Sequence, residues 1–129
     1  MLKRKRYDEA EGCPVAATLD LIDGKWKGVI LYHLLPGPKR FNQIKRELTT
    51  ITQRTLTKQL RELEEAGLIS RTIFPQVPPR VDYALTAEGR SLAPVIESLK
   101  AWGEARIVRN AEAAAQLRSP ARAAALPPG

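Results

Sequence analysis

Apolar residues recur at spacings of three and four up to about Gly67, the mark of helices, and then alternate, the mark of strands. Pro14 to Ile22 predict a short helix, with Pro14 suited to its first turn and Val15, Leu19 and Ile22 on one side. Lys25 to Leu35 predict a second helix, turning Trp26, Val29, Ile30 and Leu34 inward, and PGPKR punctuates it. Phe41 to Leu48 predict a third, buried through Phe41, Ile44 and Leu48. TTIT then makes a short turn, and Thr52 caps a fourth helix that runs to Ala66. Leu56, Leu60 and Leu63 give this helix its inner face, and Gly67 stands just past its end. Leu68 to Ile73 and Val81 to Leu85 predict two strands. FPQVPPR between them holds three prolines, which exclude a sheet interior, so an exposed connection is expected. Thr86 is expected to cap a long C-terminal helix that Pro94 kinks or restarts. Leu92, Val95, Ile96, Leu99, Trp102 and Ile107 give that helix a broad apolar face.

Helix, short turn, helix and two-stranded wing together make the winged form of the helix-turn-helix. The expected fold class is mainly α with a small β-wing. At 129 residues the chain suits one domain and can bury a core without metal or disulfide. Three segments are expected: residues 1–12 as a basic flexible arm, 13–115 as the DNA-binding and dimerisation domain, and 116–129 as a disordered tail. The tail, ending in SPARAAALPPG, has little to bury.

Charge sharpens this picture. The net charge is +7, and between Gly37 and Arg61 seven Lys and Arg face Glu47 alone. Such a concentration is an electrostatic footprint for a polyanion. Within the fourth helix the order of charge is reversed from the usual. Arg54, Lys58 and Arg61 come first and Glu62, Glu64 and Glu65 follow, although the helix dipole favours acids at the start. A leading end inserted into a major groove, among phosphates, explains the reversal. With the leucines inward, a turn of about 100° per residue sends Arg54, Lys58 and Arg61 to the opposite face. Thr52, Gln53, Thr55 and Thr57 lie at the leading end or its flanks. Arg, Lys and Gln donate to guanine and adenine edges, and Thr touches a thymine methyl. Lys39 and Arg40, just before the crossing helix, are expected at phosphate. Arg80 in the wing is a candidate for a minor groove or its phosphates, the alternative being a solvated turn residue. Lys25 and Lys27, flanking Trp26, are weaker candidates.

Other chemistry finds little support. One cysteine excludes an internal disulfide, and a cytoplasmic protein is the simplest expectation. KRKR near the start is followed by YDEAEG rather than an apolar stretch, so no signal peptide is read. The apolar run VILYHLL is far short of a membrane span. No nucleophile–base pair, phosphate loop or metal motif is visible, so no catalytic residue, metal or cofactor is expected. His33, among apolar neighbours, is expected to pack, and Trp26 and Trp102 to anchor core or interface.

CPVAATLDLIDGKWK, LLPGPKRFNQI, ITQRTLTKQLRELEEAGLI, the wing segment VPPRVDYALTAEGRSL and LKAWGE together resemble the HxlR-type winged helix-turn-helix transcriptional regulators. The resemblance spans roughly residues 13 to 105. It implies a cytoplasmic homodimer on double-stranded operator DNA, with the first and last helices in the dimer contact. It also implies that some relatives sense oxidants or electrophiles through a cysteine at the position of Cys13. Cys13 immediately precedes Pro14, at the cap of the first helix, where thiolate is favoured. A buried, inert cysteine is the alternative. The function expected is a sequence-specific transcriptional regulator on a palindromic operator, switched through Cys13. The alternative is a constitutive or architectural DNA-binding protein without a sensing cysteine.

Overall fold

The computed structural model describes residues 13–118, which form two compact units, 13–93 and 94–118. The expected basic arm and residues 119–129 of the expected tail lie outside the described residues. The first unit runs α1 (Pro14–Leu21), α2 (Lys27–Leu34), β1 (Lys39–Arg40), α3 (Phe41–Leu48), α4 (Gln53–Glu65), β2 (Ile69–Phe74), β3 (Arg80–Leu85) and α5 (Ala87–Arg90). The second unit is carried by α6 (Ala93–Arg118).

The core of the first unit is aliphatic. Ile30, Leu31 and Leu34 of α2, Ile44 and Leu48 of α3, and Leu56, Leu60 and Leu63 of α4 are buried with Ile51, Leu68, Ile69 and Leu85. The predicted inner faces of α3 and α4 are therefore correct in their aliphatic members, while Phe41 is only half-buried. In α2 the prediction is corrected. Val29 is exposed and Leu31 is buried. The helix starts two residues later than expected, after a turn at Gly24 with φ of +76°, and Trp26 precedes it as N-cap. In α1, Val15 and Leu19 share a side as expected, but that side is exposed.

The ends of α4 are fixed by local chemistry. Thr52 Oγ1 accepts a hydrogen bond from the Thr55 amide at 3.1 Å, satisfying a free donor of the first turn. At the other end Gly67, with φ of +78°, reverses the chain. The Leu68 amide donates to the Leu63 carbonyl and the Gly67 amide to the Glu64 carbonyl, both at 3.0 Å, a Schellman closure. Thr86 reinforces this corner from the far side of the wing. Its Oγ1 donates to the Gly67 carbonyl at 2.6 Å and accepts from the Gly89 amide at 3.0 Å.

The wing has three strands in the order β1-β3-β2, all antiparallel. The strand β1 was not anticipated, because two residues carry no alternation to read. It pairs Lys39 with Tyr83 and Arg40 with Asp82. The register of β2 with β3 runs from Ile69 opposite Leu85 to Phe74 opposite Arg80. Phe74 and Arg80 therefore belong to strands, and the proline connection shrinks to residues 75–79. The Arg80 guanidinium lies 4.0 Å from the centre of the Phe74 ring, which helps hold the strands paired to their tips.

Thr86 caps α5, a helix of four residues, rather than the long helix itself. The long helix restarts at Ala93, with Pro94 in its first turn, where a missing amide is harmless. It continues to Arg118, so residues 116–118 are helical rather than tail. The run AEAAAQLR consists of good helix formers and needs no packing argument. On α6, Leu99, Trp102, Ile107, Val108 and Leu117 are exposed.

Candidate nucleic-acid interface

The outer face of α4 presents a stripe of unpaired cations. Arg54, Lys58 and Arg61 are exposed, and none forms an ion pair or ring contact among the described residues. Spacings of four and three place them on one side of the helix, away from Leu56, Leu60 and Leu63. Gln53 and Thr57 are exposed beside them. The Thr57 hydroxyl donates to the Gln53 carbonyl at 2.9 Å, leaving its methyl and acceptor lone pairs for a ligand. Thr52 and Thr55 are more committed. Their hydroxyls bond to each other at 2.9 Å as part of the cap, and Thr55 is half-buried.

Two acids of the same helix are tied inward, while Glu65 is exposed on the side of the cations and forms no ion pair among the described residues. Glu62 Oε1 lies 2.9 Å from Lys27 Nζ of α2, and Glu64 Oε1 lies 3.6 Å from Arg71 Nε of β2. Lys27 also reaches Asp23 at 3.4 Å, and its side chain is only 16% exposed. Burial pulls the Lys27 ammonium down, but the hydrogen bond and charge of Glu62, with Asp23, outweigh it and leave its pKa raised. Lys27 is therefore an anchor between α2 and α4. Lys25 lies 4.8 Å from the Trp26 ring centre.

Lys39 is also drawn inward. Its Nζ donates to Glu47 Oε1 of α3, and its side chain is 12% exposed. His33 Nδ1 lies 2.9 Å from the same oxygen, so His33 is hydrogen-bonded rather than simply packed. The Lys39 hydrogen bond holds the Glu47 carboxyl below the usual range against burial, with His33, the Lys39 charge and Gln43 adding to it. Sequence reasoning recognised Glu47 as the lone acid of the basic segment but not these partners, which lie 8 and 14 residues away.

Arg40 and Arg80 come together where Lys39 does not. Arg40 is the exposed N-cap residue of α3, opposite Asp82 in the sheet register. Arg80 Nε lies 3.3 Å from Asp82 Oδ1, without hydrogen-bond geometry, and both atoms are shielded from solvent. Arg40, Asn42, Gln76, Pro78, Pro79 and Arg80 are among the residues lining a cleft of about 400 Å³ between the start of α3 and the wing. A second, open depression of about 600 Å³ is lined by Asn42, Lys45, Arg46 and Thr49. Lys45 and Arg46, two of the seven cations between Gly37 and Arg61, stand beside this depression and are further candidates for phosphate contact.

Two surfaces of different chemistry thus flank the turn between α3 and α4. One is a row of free side chains suited to base edges, and the other is a set of cations beside clefts suited to phosphates. The HxlR-like helix-turn-helix family model matches residues 21–111. The chain belongs to the HxlR family. It is a transcriptional regulator of the helix-turn-helix type, as its curated relatives are, and not an enzyme. It is 59% identical over 97 residues to the helix-turn-helix transcriptional regulator YdeP of Bacillus subtilis, covering 75% of this chain and 76% of that protein. Among solved structures it resembles the redox regulator HypR in its reduced form, with a TM-score of 0.73 and 51% identity over 77% of this chain and 99% of that one. It also resembles quinone-bound YodB from B. subtilis, with a TM-score of 0.61 and 31% identity over 71% of this chain and 98% of that one.

Among the described residues no helix is long and apolar enough to cross a membrane, and no group of three or more His, Cys, Asp or Glu is placed to hold a metal. Cys13 is the exposed N-cap residue of α1 and makes no side-chain cap bond.

Proposed function

We propose that this regulator is a homodimer that reads a palindromic operator through α4 and admits an oxidant or electrophile signal through Cys13. The observation that carries the DNA reading is the division of charge along α4. Its bases are free and outward, while Glu62 and Glu64 are paired inward. Helix α3 crosses the DNA backbone and α4 enters the major groove leading end first. Arg54, Lys58, Arg61, Gln53 and Thr57 meet base edges and nearby phosphates; Arg40 and Arg80 meet phosphate beside the wing.

Dimerisation is supported by apolar side chains that the single chain leaves in water. Trp102 is 62% exposed and Ile107 68% on α6, and Val15 and Leu19 are exposed on α1. Exposed large apolar groups of this kind mark association surfaces. A twofold dimer presents two copies of α4 to half-sites about 10 base pairs, or a multiple, apart. Footprinting on a duplex selected from random DNA tests this. Two protected half-sites with that spacing are expected; a single half-site held by a monomer contradicts it.

The signal reading rests on Cys13 being exposed at a helix start, and on the similarity to a redox regulator and to a regulator solved with quinone bound. With one cysteine in the chain, the products open to it are a sulfenic acid, an electrophile adduct, a mixed disulfide with a small thiol, or a bond to Cys13 of a second copy. Each alters the start of α1, and through it the dimer that spaces the two reading helices.

A further inference from the structure

Glu47 is the one acid between Gly37 and Arg61, in the most basic stretch of the chain. A carboxylate there lowers the local positive potential that the DNA reading needs, so its presence calls for a reason. Its position supplies one. From α3 it gathers partners on three elements. Lys39 Nζ of β1 donates to Oε1, and His33 Nδ1 of α2 lies 2.9 Å from that oxygen. Gln43 Nε2, one turn earlier on α3, donates to Oε2 at 3.3 Å. His33 is itself set edge-on to Tyr32, with ring centres 5.5 Å apart.

The strand that Lys39 belongs to is two residues long. Its ladder consists of Lys39 opposite Tyr83 and Arg40 opposite Asp82, both on β3. So short a ladder fixes a strand weakly, and a side-chain anchor on one of its two residues matters in proportion. Strand β3 is also the central strand of the wing, flanked by β1 and β2. An anchor on β1 therefore acts on the wing as a whole.

We propose that Glu47 is a positioning residue for DNA binding: by clamping Lys39 and His33 it sets the wing against α2 and α3 without touching DNA itself. This rests on the DNA-binding reading above. It changes the part played by Lys39, whose ammonium is committed to Glu47 and acts through the wing instead of on a phosphate.

The test uses the full chain as Glu47→Gln, Lys39→Met and the double variant. Hydrogen exchange is followed without DNA at those amides among residues 39, 40, 82 and 83 that bond across the β1–β3 ladder. Binding is measured across a salt series on two duplexes, one selected by the wild-type chain from random DNA and one random. Each single variant is expected to speed exchange at those amides while α4 keeps its protection. Affinity for the selected duplex is expected to fall within about 5- to 150-fold, the usual range for coupling to a distant binding site. The salt slope is expected to stay at its wild-type value, and the double variant to bind no worse than the weaker single, as residues acting as one unit do.

A slope reduced by about 0.9 in Lys39→Met marks a lost phosphate contact and overturns the proposal. So do losses that simply add in the double variant, or unchanged exchange at the β1–β3 amides. If Glu47→Gln fails to fold, the slope and exchange of Lys39→Met decide alone. A wild-type chain that binds no DNA overturns the reading beneath; a wild type that binds, with variants indistinguishable from it, overturns this inference by itself.

Discussion

Lys27 Nζ lies 2.9 Å from Glu62 Oε1, so the trailing half of α4 is fastened to α2 by an ion pair. This explains why a helix with bases at its start also carries acids at its end. Glu62 and Glu64 face the scaffold and the bases face outward, so the unfavourable order along the dipole serves two surfaces at once. Replacing Lys27 with Met keeps much of its stem and removes the charge. With Glu62 about a third exposed, the loss is expected to be about 0.5–1 kcal/mol. Urea denaturation checks it, through a lower midpoint at an unchanged m value. Because the Lys27 pKa is raised, its stabilisation is whole below the ordinary lysine value of 10.5 and fades as pH rises through the raised one.

Glycines at three positions should respond to alanine in three ways. At Gly89 an added Cβ would stand 2.0 Å from the Leu68 carbonyl oxygen, a backbone atom that cannot turn aside. Gly89→Ala is expected to destabilise by about 1–3 kcal/mol or more, as overpacking does. At Gly67 the space is open but φ is +78°, so strain of roughly 1–2 kcal/mol is expected. Gly103 lies within α6 with nothing near, and Gly103→Ala should stabilise by about 0.4–1 kcal/mol. Thermal unfolding of the three variants orders them.

Acid should reach the wing through Glu47. Its pKa is lowered, chiefly by the Lys39 hydrogen bond, so its stabilisation is whole above the ordinary glutamate value of 4.5. It is lost as pH falls from there through the lowered value. Glu47→Gln should flatten that part of the stability curve while leaving the slope near neutrality unchanged. An acid limb of the same steepness in both proteins counts against the clamp.

The order of elements, the turn between α3 and α4, and the buried Leu56, Leu60 and Leu63 were legible because each follows from local spacing. What escaped was decided by partners distant in sequence. No spacing rule joins Lys39 to Glu47 and His33, or Lys27 to Glu62, and both lysines look like surface charge until the fold brings an acid to them. Arg80 read as a loop residue because prolines precede it, yet the Phe74 ring and the sheet register draw it into β3. Val29 and Leu31 exchanged places because the buried face of α2, centred on Ile30 and Leu34, extends to the side of Leu31 rather than that of Val29.

Cys13 should be separable from the fold. It is exposed and caps α1 without a side-chain bond, and serine is a good N-cap residue, so Cys13→Ser should fold at least as well as the native chain. Treatment with diamide or a quinone is expected to change DNA binding of the native chain and leave Cys13→Ser unaffected. Equal release of DNA by both, or no response by either, assigns Cys13 a structural part and moves the signal elsewhere.

The central claim is that α4 reads DNA with the free cations of its leading half, and Arg54 tests it most directly. It is exposed and forms no ion pair among the described residues, so its replacement leaves no buried partner behind. Affinities of the native chain and Arg54→Ala are compared on a selected duplex, on its single-base variants and on random DNA. The account predicts a loss of about 1–3 kcal/mol on the selected duplex, with base preference relaxed at one position in each half-site. Unchanged affinity for both selected and random DNA would remove Arg54 from the reading surface and contradict the account.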